Sequence, residues 1–168
     1  MASPPPLVEP VDLDTVKEYL RVLDDAEDAK ISAMIPRSRL WVEEHTGLAL
    51  IKRSFSEVRS PRGGVLRLSR GPLITVDGCT YPDGDGASQD FTPSATPPST
   101  KLEGSWPSAS GPFVVTYTAG VEPGTEDARL IGAMLALIEG EYSAGFAYPD
   151  DAITSATNCL FYMKFVAP

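Results

Sequence analysis

The sequence has few of the residues that catalytic and metal sites need. It contains one histidine, His45, and two cysteines in 168 residues. A single histidine excludes a multi-histidine metal site and most acid-base schemes built on a histidine with a partner. Cys79 and Cys159 have neither metal-site spacing nor enough companions for a disulfide framework, and we interpret both as ordinary thiols. We therefore expect no cofactor, no metal and no enzymatic activity.

Long apolar runs are also absent. No stretch is long enough to span a bilayer, although 42% of the residues are apolar and suffice for one domain with a real core. Residues 1–6 carry neither a basic stretch nor an apolar signal core. We expect a soluble chain with no membrane partner that is made in the cytoplasm.

Basic residues are scarce and unevenly placed. The chain has 14 Lys and Arg against 23 Asp and Glu, for a net charge of −9. Residues 1–47 and 121–168 each have a net charge of −5, whereas residues 48–120 have +1. An acidic chain is not suited to grip a phosphate backbone, although DNA can still pass beside it. Six of the seven basic residues of the middle region form a cluster in the sequence: Lys52, Arg53, Arg59, Arg62, Arg67 and Arg70. They indicate either a contact with phosphate or, as we prefer, a solvated strand face or a partner for acidic helices of another subunit.

Residues 12–47 show the pattern of two helices. Asp12 is a capping residue for a helix over residues 13–22, and the acids at 24–28 stabilise the first turn of a second helix. Apolar residues recur at helical spacing until Gly47, a residue type that commonly ends a helix.

Two residues of the second helix depart from a regular pattern. Pro36 removes a backbone donor and clashes with the preceding turn, which predicts a kink or a break within residues 32–36. His45 lies at the helix end, where the dipole favours an imidazolium. We interpret His45 as a capping or packing residue and not as a catalytic one.

Residues 51–119 form a predicted β-rich insertion with a two-residue period. Segments 51–59 and 65–68 flank a Pro-Gly turn and are predicted to pair as a hairpin. A third strand over 74–81 leads into a turn at 83–86 and a further strand. Two aspartates of that turn have the spacing at the start of a calcium loop, but the later ligands are missing, so a hairpin turn is the better interpretation.

The end of the β-rich insertion is less regular. Residues 92–112 are rich in Pro, Ser, Thr and Gly, and we expect an extended surface loop with a short strand near Leu102. β-Branched and aromatic residues over 113–119 then predict a strand.

The last third of the chain is predicted to be helical. Residues 125–145 predict a helix that Thr125 caps, and acids at 150–151 indicate a short last helix. The unusually apolar segment 160–166 indicates either closure of the core or docking on another protein. Along the longer helix, small residues four apart form a ridge on which another helix can approach closely. The ridge consists of Ala128, Gly132, Ala136, Gly140 and Ala144.

These elements predict an α+β fold. It is a helical bundle of two N-terminal helices, one long helix in the last third and a short last helix, with an inserted antiparallel β-hairpin or sheet region. We expect a single domain over residues 1–168, in which 1–11 form a flexible arm and 146–168 a C-terminal docking segment.

Four segments together resemble a known family. Residues 12–22, 25–31, 41–47 and 115–120, in this order and spacing, are similar to the head-to-tail connector (adaptor) proteins of tailed double-stranded DNA bacteriophages and gene transfer particles. The resemblance spans about residues 10–143. It implies a non-enzymatic virion protein, made in the host cytoplasm, that forms a ring of twelve copies at the neck beneath the portal protein. The ring would extend the DNA channel, without sequence-specific DNA binding, toward a tail-side stopper protein.

The resemblance suggests roles for four groups of residues. The ridge of small residues is a candidate for subunit packing, and we expect acidic helix residues to line the channel because they repel the DNA backbone. Candidates for portal docking are Leu160, Phe161, Tyr162, Met163 and Phe165. Candidates for a tail-side contact are Pro93, Pro97, Pro98 and Trp106.

Two alternatives stay open. The chain could be another neck component, a stopper or tail-completion protein, although the two-helix start favours the adaptor. A less favoured alternative is a carboxylate-dependent hydrolase that uses Asp24, Asp25 or Asp127 as acid and base.

Overall fold

The computed structural model describes residues 8–122, 124–145 and 148–160, and it has an α+β fold. The chain divides into two compact units. The sheet unit comprises Ile51–Val121, and the helical unit comprises the described residues on either side of it.

The helical unit contains four described helices: α1 (Leu13–Leu20), α2 (Asp28–Thr46), α3 (Ala128–Ala144) and α4 (Asp150–Leu160). The predicted cap of α1 is confirmed, because the Asp12 carboxylate accepts a hydrogen bond from the Thr15 amide at 2.7 Å. The predicted end of α2 is also confirmed, since Gly47 has φ 72° and its amide donates to the Glu43 carbonyl. Glycine reaches this left-handed conformation without strain.

Two local predictions for the helices need correction. The residue that caps α3 is Asp127, whose carboxylate accepts from the Arg129 amide; Thr125 instead donates its hydroxyl proton to the Glu122 carbonyl. Of the predicted kink or break at Pro36, the break does not occur, because α2 is continuous through this residue; the kink stays a prediction. The Arg37 side chain donates to the Ala33 carbonyl at 2.9 Å, next to the Ser32 carbonyl that the proline leaves without its helical donor.

The sheet unit contains seven described strands, all paired antiparallel: β1 (Arg53–Arg59), β2 (Val65–Arg67), β3 (Leu73–Pro82), β4 (Ser88–Asp90), β5 (Ser94–Ala95), β6 (Lys101–Glu103) and β7 (Phe113–Ala119). One sheet has the order β1-β7-β3-β4, and the other has the order β2-β6-β5. Alternate residues of β7 point into the core of this unit. Its fully buried members include Leu66, Leu73, Leu102, Val115 and Tyr117.

The hairpin predicted from segments 51–59 and 65–68 is wrong. Strand β1 pairs with β7, and β2 pairs with β6. The turn between them exists, but it closes a single bridge between Arg62 and Val65. After this bridge β2 pairs with β6 and not with β1. This pairing is favoured because it places Leu66 opposite Leu102, and both side chains are fully buried.

The second predicted hairpin is confirmed. Strand β4 pairs antiparallel with β3 through the predicted turn. One carboxylate oxygen of Asp83 accepts hydrogen bonds from the amides of Asp85 and Ala87, at 3.0 and 2.9 Å, and the other accepts from Gln89. These bonds lower the pKa of Asp83, with the Gln89 side chain as the largest cause. The aspartate thus supports the turn.

The segment 92–112 contains the predicted strand near Leu102, which is β6, and also β5, which the sequence did not indicate. Its prolines differ in environment, since Pro93 is buried whereas Pro97 and Pro98 are exposed. Trp106 packs on Phe91 and Phe113, and its indole nitrogen donates to the Gly64 carbonyl at 2.8 Å. This segment therefore contributes side chains to the sheet-unit core.

Candidate functional site

A buried arginine belongs to a hydrogen-bond network that links α2 to the segments before and after it in the chain. Arg39 is 3% exposed, and its guanidinium donates to Glu9 at 2.8 Å and to Glu43 at 3.1 Å. Glu43, itself 1% exposed, also accepts from the Leu50 amide at 3.0 Å. The network joins the segment before α1, helix α2 and the chain that leaves α2. Sequence analysis missed it, because an Arg and a Glu four residues apart are common on exposed helices as well.

A second ionic contact joins α2 to α3. The Arg37 guanidinium lies 2.6 Å from a carboxylate oxygen of Glu141, which is buried. Burial, and secondly the charge of Glu141, raise the pKa of Tyr148 to about 12. These three side chains, with Leu40, Trp41 and Glu44, line a cleft of about 330 Å³.

His45 packs in the way the sequence predicted. Its ring stacks on Trp41 with the centroids 3.6 Å apart, and Nδ1 lies 2.8 Å from the Trp41 carbonyl oxygen. The geometry gives this histidine a structural role at the end of α2.

The ridge of small residues lies partly against α4 of the same chain. A methyl group added to Gly140 would lie 2.2 Å from the Ala152 Cβ, so only glycine permits this approach. At Gly132 the nearest atom to such a methyl group is the Cys159 sulfur, at 3.8 Å. The two ends of the ridge, Ala128 and Ala144, are exposed. The close packing that the glycines indicated therefore exists within the chain, between α3 and α4.

The structure locates only one of the five residues proposed for portal docking. Leu160 is 3% exposed and belongs to the core of the helical unit. Phe161, Tyr162, Met163 and Phe165 lie outside the described residues.

The acids weighed for a hydrolase have structural partners. Asp24 accepts from a backbone amide two residues on, and Asp25 pairs with Lys17 at 2.7 Å. Asp127 pairs with Arg129 at 2.6 Å. Hydrogen bonds from Lys17 lower the pKa of Asp25, and those from Arg129 lower the pKa of Asp127 to about 2. Carboxylates with lowered pKa are weak bases, so their surroundings do not favour proton abstraction.

Among residues 8–122, 124–145 and 148–160, no group of three or more His, Cys, Asp or Glu is arranged to hold a metal ion. None of the helices in these ranges is long and apolar enough to cross a membrane.

In the sheet unit, a half-buried carboxylate accepts several hydrogen bonds. Glu57 accepts from the Tyr117 hydroxyl at 2.5 Å, from Arg59 at 2.9 Å and from the Ser69 hydroxyl at 3.0 Å. Burial acts to raise the pKa of Glu57, but these hydrogen bonds outweigh it and lower the pKa. Burial, and secondly the bond to Glu57, raise the pKa of Tyr117. The ionised form of Glu57 thus stabilises the contact between β1 and β7.

Replacing Tyr117 with phenylalanine should show this contribution. The stacking on Phe55, with centroids 5.5 Å apart, is kept, while the donor to Glu57 is lost. We expect the free energy of unfolding to fall by about 2 kcal/mol at neutral pH. A carboxyl group whose folded pKa is lowered stabilises above its unfolded pKa and ceases to do so as the pH falls through the folded pKa. The difference between wild type and variant should therefore shrink below about pH 4.

Urea unfolding at several pH values measures this effect. Tyr81→Phe is the matched control, because Tyr81 also stacks on a phenylalanine and its hydroxyl has no partner among the described residues. Equal losses for the two variants at all pH values would contradict the prediction.

No protein-family model matches the chain, and no curated protein is significantly similar to it. Solved structures do contain chains of similar fold. A chain in the neck of an empty gene transfer agent (GTA) particle, computed with C6 symmetry, has a TM-score of 0.77 at 18% identity, covering 98% of this chain and 95% of that one. This protein has the fold of a GTA neck chain.

Two further GTA structures contain the fold. A chain of the native GTA virion has a TM-score of 0.71 at 19% identity and covers 94% of both chains. A chain in the neck of the native particle, computed with C12 symmetry, has a TM-score of 0.67 at 19% identity, covering 98% of this chain and 95% of that one. At such coverage the likeness includes both the helices and the inserted sheet region.

Proposed function

We propose that this protein is a structural component of the neck of a tailed particle, and specifically a head-to-tail adaptor. In this role, copies of the chain form a ring beneath the portal protein and continue the DNA channel toward the tail. The observation that carries the proposal is the likeness to a GTA neck chain over 98% of this sequence. The neck structures with C6 and C12 symmetry support a ring, and twelve copies fit both symmetries.

The distribution of charge fits a channel through which DNA slides. The helical unit contains seven basic and seventeen acidic residues, a net charge of −10, whereas the sheet unit has +1. An acidic wall repels the DNA backbone and so offers no strong binding site that would retain it. We therefore propose that acidic side chains of the helices line the channel.

Portal docking is assigned to the apolar residues that follow α4. Because Leu160 is buried in the helical unit, the proposal now rests on Phe161, Tyr162, Met163 and Phe165. Aromatic and methionine side chains commonly anchor protein interfaces. The exposed Pro97 and Pro98 remain candidates for the tail-side contact.

Electron cryomicroscopy of particles purified from producing cells tests the function. We expect a ring of this chain directly beneath the portal protein. A chain that occupies a later ring on the tail side would be a stopper or tail-completion protein, and absence of the chain from the particle would overturn a neck function altogether.

A variant that ends at Leu160 tests docking in the same particles. It keeps α4, which covers the glycines of α3, so it should fold while failing to join the portal. A second, full-length variant with serine at positions 161, 162, 163 and 165 should likewise fail to join the portal. Normal incorporation of both variants would refute docking through this segment without affecting the proposed ring.

A further inference from the structure

The three-stranded sheet carries cations that have no acidic partner. Arg67 of β2 and Lys101 of β6 are directly opposite each other in the register, on the face away from the fully buried Leu66 and Leu102. Like charges in directly opposite positions destabilise a sheet. Arg62 precedes β2, bridges to Val65 and adds a third cation; Arg62 and Arg67 are exposed, and Lys101 is half-buried.

We call Arg62, Arg67 and Lys101 the cation patch. Within the part of the chain that the structure describes, none of the three forms an ion pair. The nearest acid by register is Glu103, two residues along β6, and it pairs with neither Arg67 nor Lys101. Among the described residues of the sheet unit, no acidic side chain therefore neutralises the charges of the cation patch.

The helical unit carries the complementary arrangement. Asp14 and Glu18 are one turn apart on α1, both exposed, and repel each other in the isolated chain. We call these two residues the acid pair. Most acids of this unit have partners among the described residues, as Glu43 has in Arg39 and Asp127 has in Arg129. Of those without one, Asp14 and Glu18 are the two that lie a single helical turn apart.

We infer that the cation patch of one copy contacts the acid pair of a second copy. This inference rests on the proposed ring and identifies a side contact within it. A ring closes when one surface of each subunit binds a different surface of the next, and these two surfaces are opposite in charge. Each contact removes one like-charge repulsion from the sheet and one from α1.

Nucleic acid is the less suitable partner for the patch. Proteins that hold DNA neutralise about six to ten phosphates, whereas this patch offers three cations in a chain of net charge −9. Binding to an acidic protein surface requires fewer ionic contacts than binding to DNA. The helical unit of a second copy provides such a surface.

Cross-linking of purified particles with a carbodiimide is the first test, because this reagent joins a lysine directly to a contacting carboxylate. Peptides containing Lys101 should be joined to peptides containing Asp14 or Glu18. Particles assembled from a mixture of ¹⁵N-labelled and unlabelled chains show whether each link joins two copies. Links from Lys101 to other carboxylates alone, or to DNA under formaldehyde, would overturn the inference.

Charge reversal provides the second test. One variant carries Arg67→Glu with Lys101→Glu, and the other carries Asp14→Lys with Glu18→Lys. Supplied singly to producing cells that lack the natural chain, each should lower the yield of tailed particles about tenfold or more, because like charges then meet at every contact. Supplied together, the variants can alternate around an even-numbered ring, so that every contact is attractive, and the yield should recover.

The matched control is Asp85→Lys with Asp90→Lys, two exposed acids of the sheet unit, which changes the net charge of the chain as much as the acid-pair variant. It should assemble normally. Full yield from both single-surface variants, or no recovery on mixing them, would overturn the side contact while leaving the neck function intact. Absence of even the wild-type chain from the particles would instead count against the proposed function.

Discussion

Replacing Gly140 with alanine should lower the free energy of unfolding by about 2 kcal/mol or more, although alanine is the better helix former. The added methyl group would lie 2.2 Å from the Ala152 Cβ and 3.2 Å from two ring carbons of Pro149. These atoms are fixed to the backbone, so α4 must shift away from α3 to make room. The loss should appear in thermal and urea unfolding followed by circular dichroism.

Gly132 provides a control on the same face of α3. Alanine there meets only the Cys159 sulfur at 3.8 Å, an ordinary contact, and should raise stability by up to about 1 kcal/mol. Combining Gly140→Ala with Ala152→Gly should recover much of the loss, since the second change removes the clashing carbon. A stabilising effect of Gly140→Ala alone would show that α4 does not pack as closely as described.

Replacing Arg39 with methionine should have the larger effect, a loss of about 3 to 5 kcal/mol. The substitution removes the guanidinium that donates to the buried Glu43 carboxylate, and loss of one member of a buried ion pair is costly. The segment before α1 also loses its contact through Glu9. Urea unfolding at neutral pH measures the change.

A second substitution separates the charge from the packing. Glu43→Gln retains an oxygen that can accept from the Leu50 amide, so Arg39→Met with Glu43→Gln should be more stable than Arg39→Met alone. Arg129→Met is the control for loss of an exposed ion pair, and its unfolding midpoint should stay close to that of the wild type. Equal losses for the single and double variants at position 39 would show that the buried charge is not the cause.

Local signals predicted the elements of this fold well. The cap at Asp12, the glycine at position 47 and the start of α4 all depend on residues within one or two helical turns. The α3 cap was placed two residues early, because Thr125 and Asp127 are both good capping residues and only the path of the chain selects between them.

Long-range pairing was not visible in the same way. The strands at 53–59 and 65–67 share a strong turn, yet each pairs with a strand that lies much later in the chain. The period of two identifies a strand but not its neighbour. Sequence analysis placed Arg62 and Arg67 in a basic group but left out Lys101 for this reason, since Arg67 and Lys101 meet only through the pairing of β2 with β6.

The buried ionic network shows a further limit. Arg39 and Glu43 have the spacing of an ordinary surface pair on a helix, and their burial depends on Glu9 and Leu50, which come from outside α2. No helical pattern marks such a position, because burial of a charge is decided by the whole unit.

The place of β7 in its sheet has a consequence for synthesis on the ribosome. Strands β1 and β3 do not pair with each other; each pairs with β7, which ends at Ala119. In a nascent chain, β1 and β3 therefore lack their common neighbour until Ala119 has emerged from the ribosome. The helical unit waits longer, because α3 and α4 are translated after the whole sheet unit. Both units can therefore be complete only after α4 has emerged. A protein truncated before α4 exposes unpaired helix faces to chaperones and proteases.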